Sequence, residues 1–141
     1  MVKRVTAPEA AALLAEGWTY LDVRSILEFD LGHPTGAVNV PLLHHAGRGL
    51  VPNPDFERVV AASFPRDSRL VVGCKLGSRS LQAAALLQAA GYPNVVDLRG
   101  GFLGERDAFG RLTCPGWVDE ALPIESAAPP ERCYQALAAK L

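Results

Sequence analysis

Short apolar segments alternate with helix-forming segments along most of this chain, and this alternation restricts its fold more than any other feature. The segments with strand character are Trp18 to Val23, Val38 to Val40, Arg69 to Gly73 and Asn94 to Gly101. Strands that alternate with helices are typical of an α/β protein in which helices cover both faces of a parallel sheet. We therefore expect a central, mostly parallel five-stranded sheet in the order β-α-β-β-α-β-α-β.

Local signals predict where the helices begin and end. Thr6 and Glu9 form a capping box, which predicts a helix that ends near Gly17. A second helix is predicted after Asn53, which can act as its cap and is followed by a proline in the first turn. A third helix is expected to end at Gly91. In this third helix we expect a core-facing stripe, made of Leu81, Ala84, Ala85 and Leu86.

Length and composition predict one domain over residues 1–141, with a core of about residues 5–125 and a terminal helix of about 129–141. The chain is 49% hydrophobic, which suffices for one core, and its net charge is −1. This charge predicts no binding to nucleic acid or to an anionic membrane. The amino-terminal segment lacks the apolar centre of a signal peptide, and the three cysteines are widely spaced, so we expect a cytoplasmic protein without a metal site.

The segment "CKLGSRS" places Cys74 where an apolar strand stops and a helix is about to begin. Ligands of open parallel sheets bind beyond such strand ends, beside helix N-termini. The loop amides, the helix dipole, Lys75 and Arg79 all favour a negatively charged thiolate there, and the thiolate is the nucleophile. A cysteine after a strand is otherwise a small buried apolar residue, but lysine, glycine, serine and arginine in one loop favour a functional site.

This loop resembles the active-site signature of the rhodanese family, a cysteine and an arginine separated by four residues ahead of a helix. Upstream, "LDVRSILEFDLGHPTGAVNVP" resembles the amino-terminal signature of that family, and "VVDLRGGF" and "ALPIE" resemble its last strand and terminus. The resemblance covers about Val5 to Glu125. Pro34 and Thr35 depart from the family pattern, and the longer segment 102–121 is interpreted as a wall or lid beside the site.

The resemblance implies a rhodanese-like fold and a sulfurtransferase of the thiosulfate sulfurtransferase type. Cys74 would take the outer sulfur of thiosulfate or a similar donor, hold it as a persulfide, and pass it to cyanide or a thiol. The thiol could belong to glutathione, thioredoxin or a sulfur-carrier protein. No metal and no organic cofactor is expected.

Roles for the other candidate residues follow from the same resemblance and from their chemistry. The amides of residues 75–79 would surround the sulfur, and Lys75 and Arg79 would hold an anionic donor. Ser80 is expected either to donate a hydrogen bond or to cap the helix. The complete loop set is Lys75, Leu76, Gly77, Ser78, Arg79 and Ser80. A supporting set comprises Asp22, Arg24 and Glu28, as ion pairs that brace the loop, and His33, as a hydrogen-bonded turn residue.

Two other interpretations stay open. One is a phosphatase or arsenate reductase of the rhodanese-like fold, although such enzymes place five residues between cysteine and arginine, whereas four separate Cys74 from Arg79. The other is a rhodanese-like module that only binds a partner, which would not need a thiolate.

Overall fold

A computed structural model describes residues 1–141, and its regular elements follow the predicted alternation of strands and helices, except that an additional short helix, residues 26–31, follows the second strand. The strands are β1 (Lys3–Val5), β2 (Thr19–Asp22), β3 (His33–Pro34), β4 (Val38–Asn39), β5 (Leu43–Ala46), β6 (Gly49–Pro52), β7 (Leu70–Gly73), β8 (Val95–Leu98), β9 (Glu105–Arg106), β10 (Leu112–Cys114) and β11 (Ile124–Glu125). The helices are α1 (Ala7–Ala15), α2 (Ile26–Leu31), α3 (Phe56–Ser63), α4 (Ser78–Ala89) and α5 (Tyr134–Ala138), with a 3₁₀ turn at Pro130–Arg132.

Five of these strands form one central sheet in the order β1-β8-β7-β2-β4, and every neighbouring pair is parallel. The predicted fold class, an α/β protein with a five-stranded sheet, is therefore confirmed. β7 lies in the middle of the sheet and is buried along its whole length. Because the strands are parallel, the loops that follow β2, β7 and β8 emerge at the same edge of the sheet, where ligand sites of such folds lie.

Two apolar clusters fill the two faces of the sheet. Side chains of a strand point alternately to opposite faces, so Leu70 and Val72 belong to one cluster and Val71 to the other. The first cluster includes residues of α3, α4 and α5, and the second includes residues of α1 and α2. None of the helices is long and apolar enough to cross a membrane.

The helix ends confirm some of the local predictions and correct others. The capping box of α1 is present, since the amide of Thr6 donates to Glu9 over 2.8 Å and the amide of Glu9 donates to the Thr6 hydroxyl over 3.4 Å. Asn53 does not cap α3, which begins only at Phe56; its amide group instead donates to the carbonyl of Pro41 and ties two loops together. The terminal helix is interrupted at Cys133, which separates the 3₁₀ turn from α5.

The predicted core stripe of α4 was wrong in three of its four positions. Ala84 is buried, but Leu81, Ala85 and Leu86 are exposed. The residues that pack on the sheet are Ser80, Ala83, Ala84 and Leu87, which follow the i, i+3, i+4, i+7 spacing of one helix face. The helix is therefore rotated so that the hydroxyl of Ser80 points inward, toward the loop that precedes it.

Candidate active site

Cys74 follows β7 directly and is only 1% exposed. The amide of Gly77 donates a hydrogen bond to its Sγ over 3.1 Å, and the Oγ of Ser80 lies 3.4 Å from the same sulfur. The hydroxyl of Ser80 also lies 3.4 Å from the carbonyl oxygen of Gly77. The sulfur is thus held by one backbone amide and one side-chain hydroxyl.

Gly77 brings this amide to the sulfur through its unusual backbone. Its φ of 106° lies in the region that favours glycine, and it is the N-cap of α4 without any side chain to cap the helix. The sulfur of Cys74 accepts the backbone amide of this N-cap residue, next to the first turn of the helix. It therefore lies at the positive end of a twelve-residue helix, a position that stabilises negative charge.

The segment after β8 supports the loop from the side. The amide of Phe102 donates to the carbonyl of Cys74 over 2.7 Å, and that of Leu103 donates to the carbonyl of Lys75 over 2.9 Å. Gly101, with a φ of 59°, passes so close that a Cβ would lie 2.7 Å from both carbonyl oxygens. These contacts fix the peptide units on either side of the cysteine.

Arg79 is held by Glu28 and does not point freely into the site. Its two terminal nitrogens donate to the two carboxylate oxygens of Glu28 over 2.7 and 3.0 Å. Glu28 also accepts the amide of Ser25 and so completes the capping box of α2. Burial opposes ionisation of this carboxyl, but the hydrogen bonds and charge of Arg79 outweigh it and lower the pKa of Glu28 to about 2.

Asp22 and Arg24 form a second buried pair at the end of β2. The guanidinium donates to the carboxylate over 2.7 to 3.1 Å and also donates to the carbonyl of Gly32 over 2.6 Å. It stacks over the ring of Phe102 at 4.5 Å from the ring centroid. The ion-pair network predicted for Asp22, Arg24 and Glu28 is therefore present as two separate pairs, of which only Glu28 contacts the Cys74 loop directly.

A cleft of about 250 Å³ opens beside the loop. Lys75 borders it with an exposed side chain that makes no ion pair. Leu76 and Ser78, the other exposed residues of the loop, do not line it. Its lining residues are Arg24, Glu28, Leu31, Gly32, Lys75, Phe102 and Leu103.

The family model for the Rhodanese-like domain matches residues 6–105. This chain belongs to the rhodanese-like family. It is 38% identical over 128 residues to "Thiosulfate sulfurtransferase 18" of Arabidopsis thaliana, which covers 89% of this chain and 85% of the relative. It is also 37% identical over 116 residues to "Senescence-associated protein DIN1" of Raphanus sativus, covering 82% of this chain but only 57% of that relative's length.

A solved structure shows the same architecture. The crystal structure of Rv0390 from M. tuberculosis superposes with a TM-score of 0.75 at 25% identity, covering 89% of this chain and 98% of that one. The rhodanese-like chain and this neighbour therefore share their fold over nearly their whole lengths.

His33 lies away from the cysteine in this rhodanese-like chain. The ring is fully buried and stacks on Phe29 at 3.7 Å between ring centroids. Its Nδ1 is 2.7 Å from the carbonyl oxygen of Phe29, and its Nε2 is 3.1 Å from a carboxylate oxygen of Glu125. His33 is hydrogen-bonded as predicted, but it lies in strand β3, paired with β11, and not in a turn. Its contacts join α2 to β11 and so to the C-terminal part of the chain.

Two residues near the loop were not predicted from the sequence. Asp97, at the end of β8, is fully buried and accepts a hydrogen bond from the Nε of Arg4 over 2.7 Å. The same guanidinium lies 3.3 Å from the carbonyl oxygen of Gly77. Burial raises the pKa of Asp97 despite the hydrogen bond from Arg4. A carboxylate inside an otherwise apolar strand, "VVDL", was the signal that could have identified this contact to the loop.

Proposed function

We propose that this chain is a sulfurtransferase that carries sulfur as a persulfide on Cys74. The observation that supports this most directly is the position of the sulfur: it lies at the end of the central strand and at the start of α4, 3.1 Å from the Gly77 amide. Such a position stabilises an anionic sulfur, both as the attacking thiolate and as the terminal sulfur of a persulfide. The name "Thiosulfate sulfurtransferase 18" of the Arabidopsis relative agrees with this chemistry.

The proposed reaction has two steps. In each step one bond to the transferred sulfur breaks while another bond to it forms. The Cys74 thiolate attacks the outer sulfur of thiosulfate or a similar donor, and the electron pair of the broken bond leaves with sulfite. An acceptor, cyanide or a thiolate, then attacks the terminal sulfur of the persulfide and restores the Cys74 thiolate. Neither step requires a metal or an organic cofactor, because the sulfur of Cys74 is the only group that carries the transferred atom.

Mass spectrometry of the intact protein tests this proposal. After thiosulfate treatment without a reducing agent, the native chain should gain the mass of one sulfur atom, and cyanide should remove it. Cys74→Ser should gain none while keeping its fold, because the two side chains are nearly isosteric. Cys133→Ser, which changes a half-buried cysteine elsewhere, is the matched control and should gain sulfur normally. Sulfur on Cys74→Ser at the native rate would refute the proposal.

Assays of aryl phosphate hydrolysis and arsenate reduction with the native chain distinguish sulfur transfer from phosphatase or arsenate reductase activity. Four residues separate Cys74 from Arg79, the Gly77 amide already contacts the sulfur, and the Arg79 guanidinium is bound to Glu28. We therefore expect no measurable hydrolysis of an aryl phosphate and no reduction of arsenate. Efficient turnover of either compound without persulfide formation would favour the other interpretation. A chain that does neither would be a binding module.

A further inference from the structure

The cations around the Cys74 loop are almost fully neutralised by carboxylates of the chain itself. Arg79 has both terminal nitrogens on Glu28, and Arg24 is paired with Asp22 over 2.7 Å. Only Lys75 at this cleft has no carboxylate partner. One unpaired cation balances one anionic sulfur on Cys74 and leaves no positive charge for a donor that carries two negative charges.

The rim of the same cleft is apolar. Leu31, at the end of α2, is 77% exposed, and Leu103, which also lines the cleft, is 39% exposed. Phe102 lines the same cleft, and its ring packs against the guanidinium of Arg24. Exposed leucines on a cleft next to a reactive residue favour contact with an apolar group, because such contact removes apolar surface from water.

We propose that the preferred sulfur donor is a monoanion that carries an apolar organic group, rather than the thiosulfate dianion. The inference rests on the proposed sulfurtransferase function and specifies the substrate class of that site. The single negative charge would lie near Lys75 and the loop amides, and the organic group would lie against Leu31, Phe102 and Leu103.

An organic thiosulfonate has this chemistry and reacts by the proposed mechanism. The Cys74 thiolate attacks its outer sulfur, and a new sulfur–sulfur bond forms as the bond to the sulfonyl sulfur breaks. The electron pair leaves with the organic sulfinate, so two negative charges are present before and after the step. No oxidant or reductant is needed.

Three donors separate the effect of charge from that of apolar contact. Thiosulfate is a dianion, methanethiosulfonate a small monoanion, and benzenethiosulfonate a monoanion with an apolar ring. We expect kcat/KM with a common acceptor to rise in this order, with benzenethiosulfonate at least about tenfold above thiosulfate after correction for the uncatalysed reaction of each donor.

Two pairs of variants test whether the cleft causes this preference. Leu31→Lys adds a second unpaired cation to the rim and should raise kcat/KM for thiosulfate about tenfold while lowering it for benzenethiosulfonate. Leu27→Lys adds the same charge one turn earlier on α2, at a residue that is 59% exposed and does not line the cleft. It should change the ratio of kcat/KM for benzenethiosulfonate to kcat/KM for thiosulfate far less.

The second pair removes apolar surface without adding charge. Leu103→Ser should reduce kcat/KM for benzenethiosulfonate several-fold more than it reduces kcat/KM for thiosulfate. Leu112→Ser, at a similarly exposed leucine (42%) outside the cleft, should alter neither donor.

The outcomes separate this inference from the proposed function. Persulfide formation on Cys74 with thiosulfate at a kcat/KM equal to or above that of benzenethiosulfonate would overturn the inference and leave the sulfurtransferase function standing. Equal effects of Leu31→Lys and Leu27→Lys would also overturn it. If none of the three donors placed sulfur on Cys74, the proposed function would fail and this inference would fail with it.

Discussion

Ser80 is the side chain of α4 that contacts both the sulfur of Cys74 and the loop around it. Its hydroxyl lies 3.4 Å from the Cys74 sulfur and 3.4 Å from the carbonyl oxygen of Gly77. It is fully buried, so water cannot easily replace it. With Cys74 as a thiol, the sulfur donates to Ser80 Oγ and the Ser80 hydroxyl donates to the Gly77 carbonyl. With a thiolate or a persulfide, the hydroxyl can turn and donate its hydrogen bond to the anionic sulfur instead, and such donors act most strongly in sites that exclude water.

Replacement of Ser80 by alanine should therefore slow sulfur transfer more than it destabilises the chain. We expect kcat/KM to fall about tenfold and the free energy of unfolding to fall by about 1 kcal/mol, the usual net value of a hydrogen bond. Ser78→Ala, two residues earlier and exposed, is the control and should change neither. Steady-state kinetics and urea denaturation measure the two effects, and equal kinetics for both variants would contradict a role for the Ser80 hydroxyl.

The sequence predicted that the amides of residues 75–79 surround the sulfur, whereas in the structure the sulfur contacts only the amide of Gly77 and the hydroxyl of Ser80. The spacing of Cys74 and Arg79 placed both at one strand end, as the structure does. It assigned a free cation to Arg79, however, because the partner carboxylate is 51 positions away in sequence. An ion pair between distant segments depends on how the segments pack, and neither segment alone indicates it.

Among the elements, the turn after β8 determines where the Cys74 loop lies. Gly101 passes directly over the carbonyl groups of Cys74 and Lys75, and the two amides that follow it bind those carbonyls. A side chain at position 101 would collide with backbone atoms, which cannot rotate away as a flexible side chain can. The sheet thus supports Cys74 through two of its strands, since β7 precedes the cysteine and the turn after β8 holds the loop.

Gly101→Ala should displace the loop, and a second glycine provides a matched control. Gly47 has the same φ of 59° but no neighbouring atom within 4 Å of the position of a Cβ. Gly47→Ala should therefore cost only the backbone strain, about 1–2 kcal/mol, and keep its activity. Gly101→Ala should cost more and lower kcat more than about tenfold, because a displacement of the loop by about 1 Å misplaces the donors. Unfolding curves and kinetics of both variants test this, and equal activity would show that the turn does not position the loop.

The sequence predicted two features of the helices least well: which face of α4 is buried, and the presence of the short helix α2. In α4, apolar residues occur on more than one face, so hydrophobic spacing alone did not identify the buried one, and the position of Ser80 was the missing constraint. α2 has only six residues, too few for a clear apolar period. Its capping box, Ser25 with Glu28, was nevertheless visible as S-x-x-E and could have predicted where it begins.

Across the whole molecule, two ion pairs join segments that are far apart in the chain at the edge of the sheet that holds the site, and a third joins β11 to the nearby 3₁₀ turn. Arg79 binds Glu28, Arg4 binds Asp97, and Arg132 binds Glu125 over 2.7 Å. Hydrogen bonds from Arg132 and from the Gly36 amide outweigh burial and lower the pKa of Glu125. A carboxylate with a lowered pKa stabilises the folded chain when it is ionised, so the Glu28 and Glu125 pairs add stability that is lost on acidification, whereas Asp97, whose pKa is raised by burial, does not act in this direction.

The Glu28 pair should account for a measurable part of the acid sensitivity. Its pKa falls from an ordinary value of 4.5 to about 2 on folding, so its stabilisation is complete above about pH 4.5 and is lost as the pH falls toward 2. Between pH 7 and pH 3 this amounts to about 2 kcal/mol, an upper value because water partly screens the pair.

Glu28→Gln should be less stable at neutral pH by about 1–3 kcal/mol and should lose less stability on acidification. Glu16→Gln, at an exposed glutamate without an ion pair, should keep the native pH dependence in urea denaturation at pH 7, 4 and 3. If the free energy of unfolding of Glu28→Gln fell with decreasing pH as steeply as that of the native chain, the pair would not couple folding to pH.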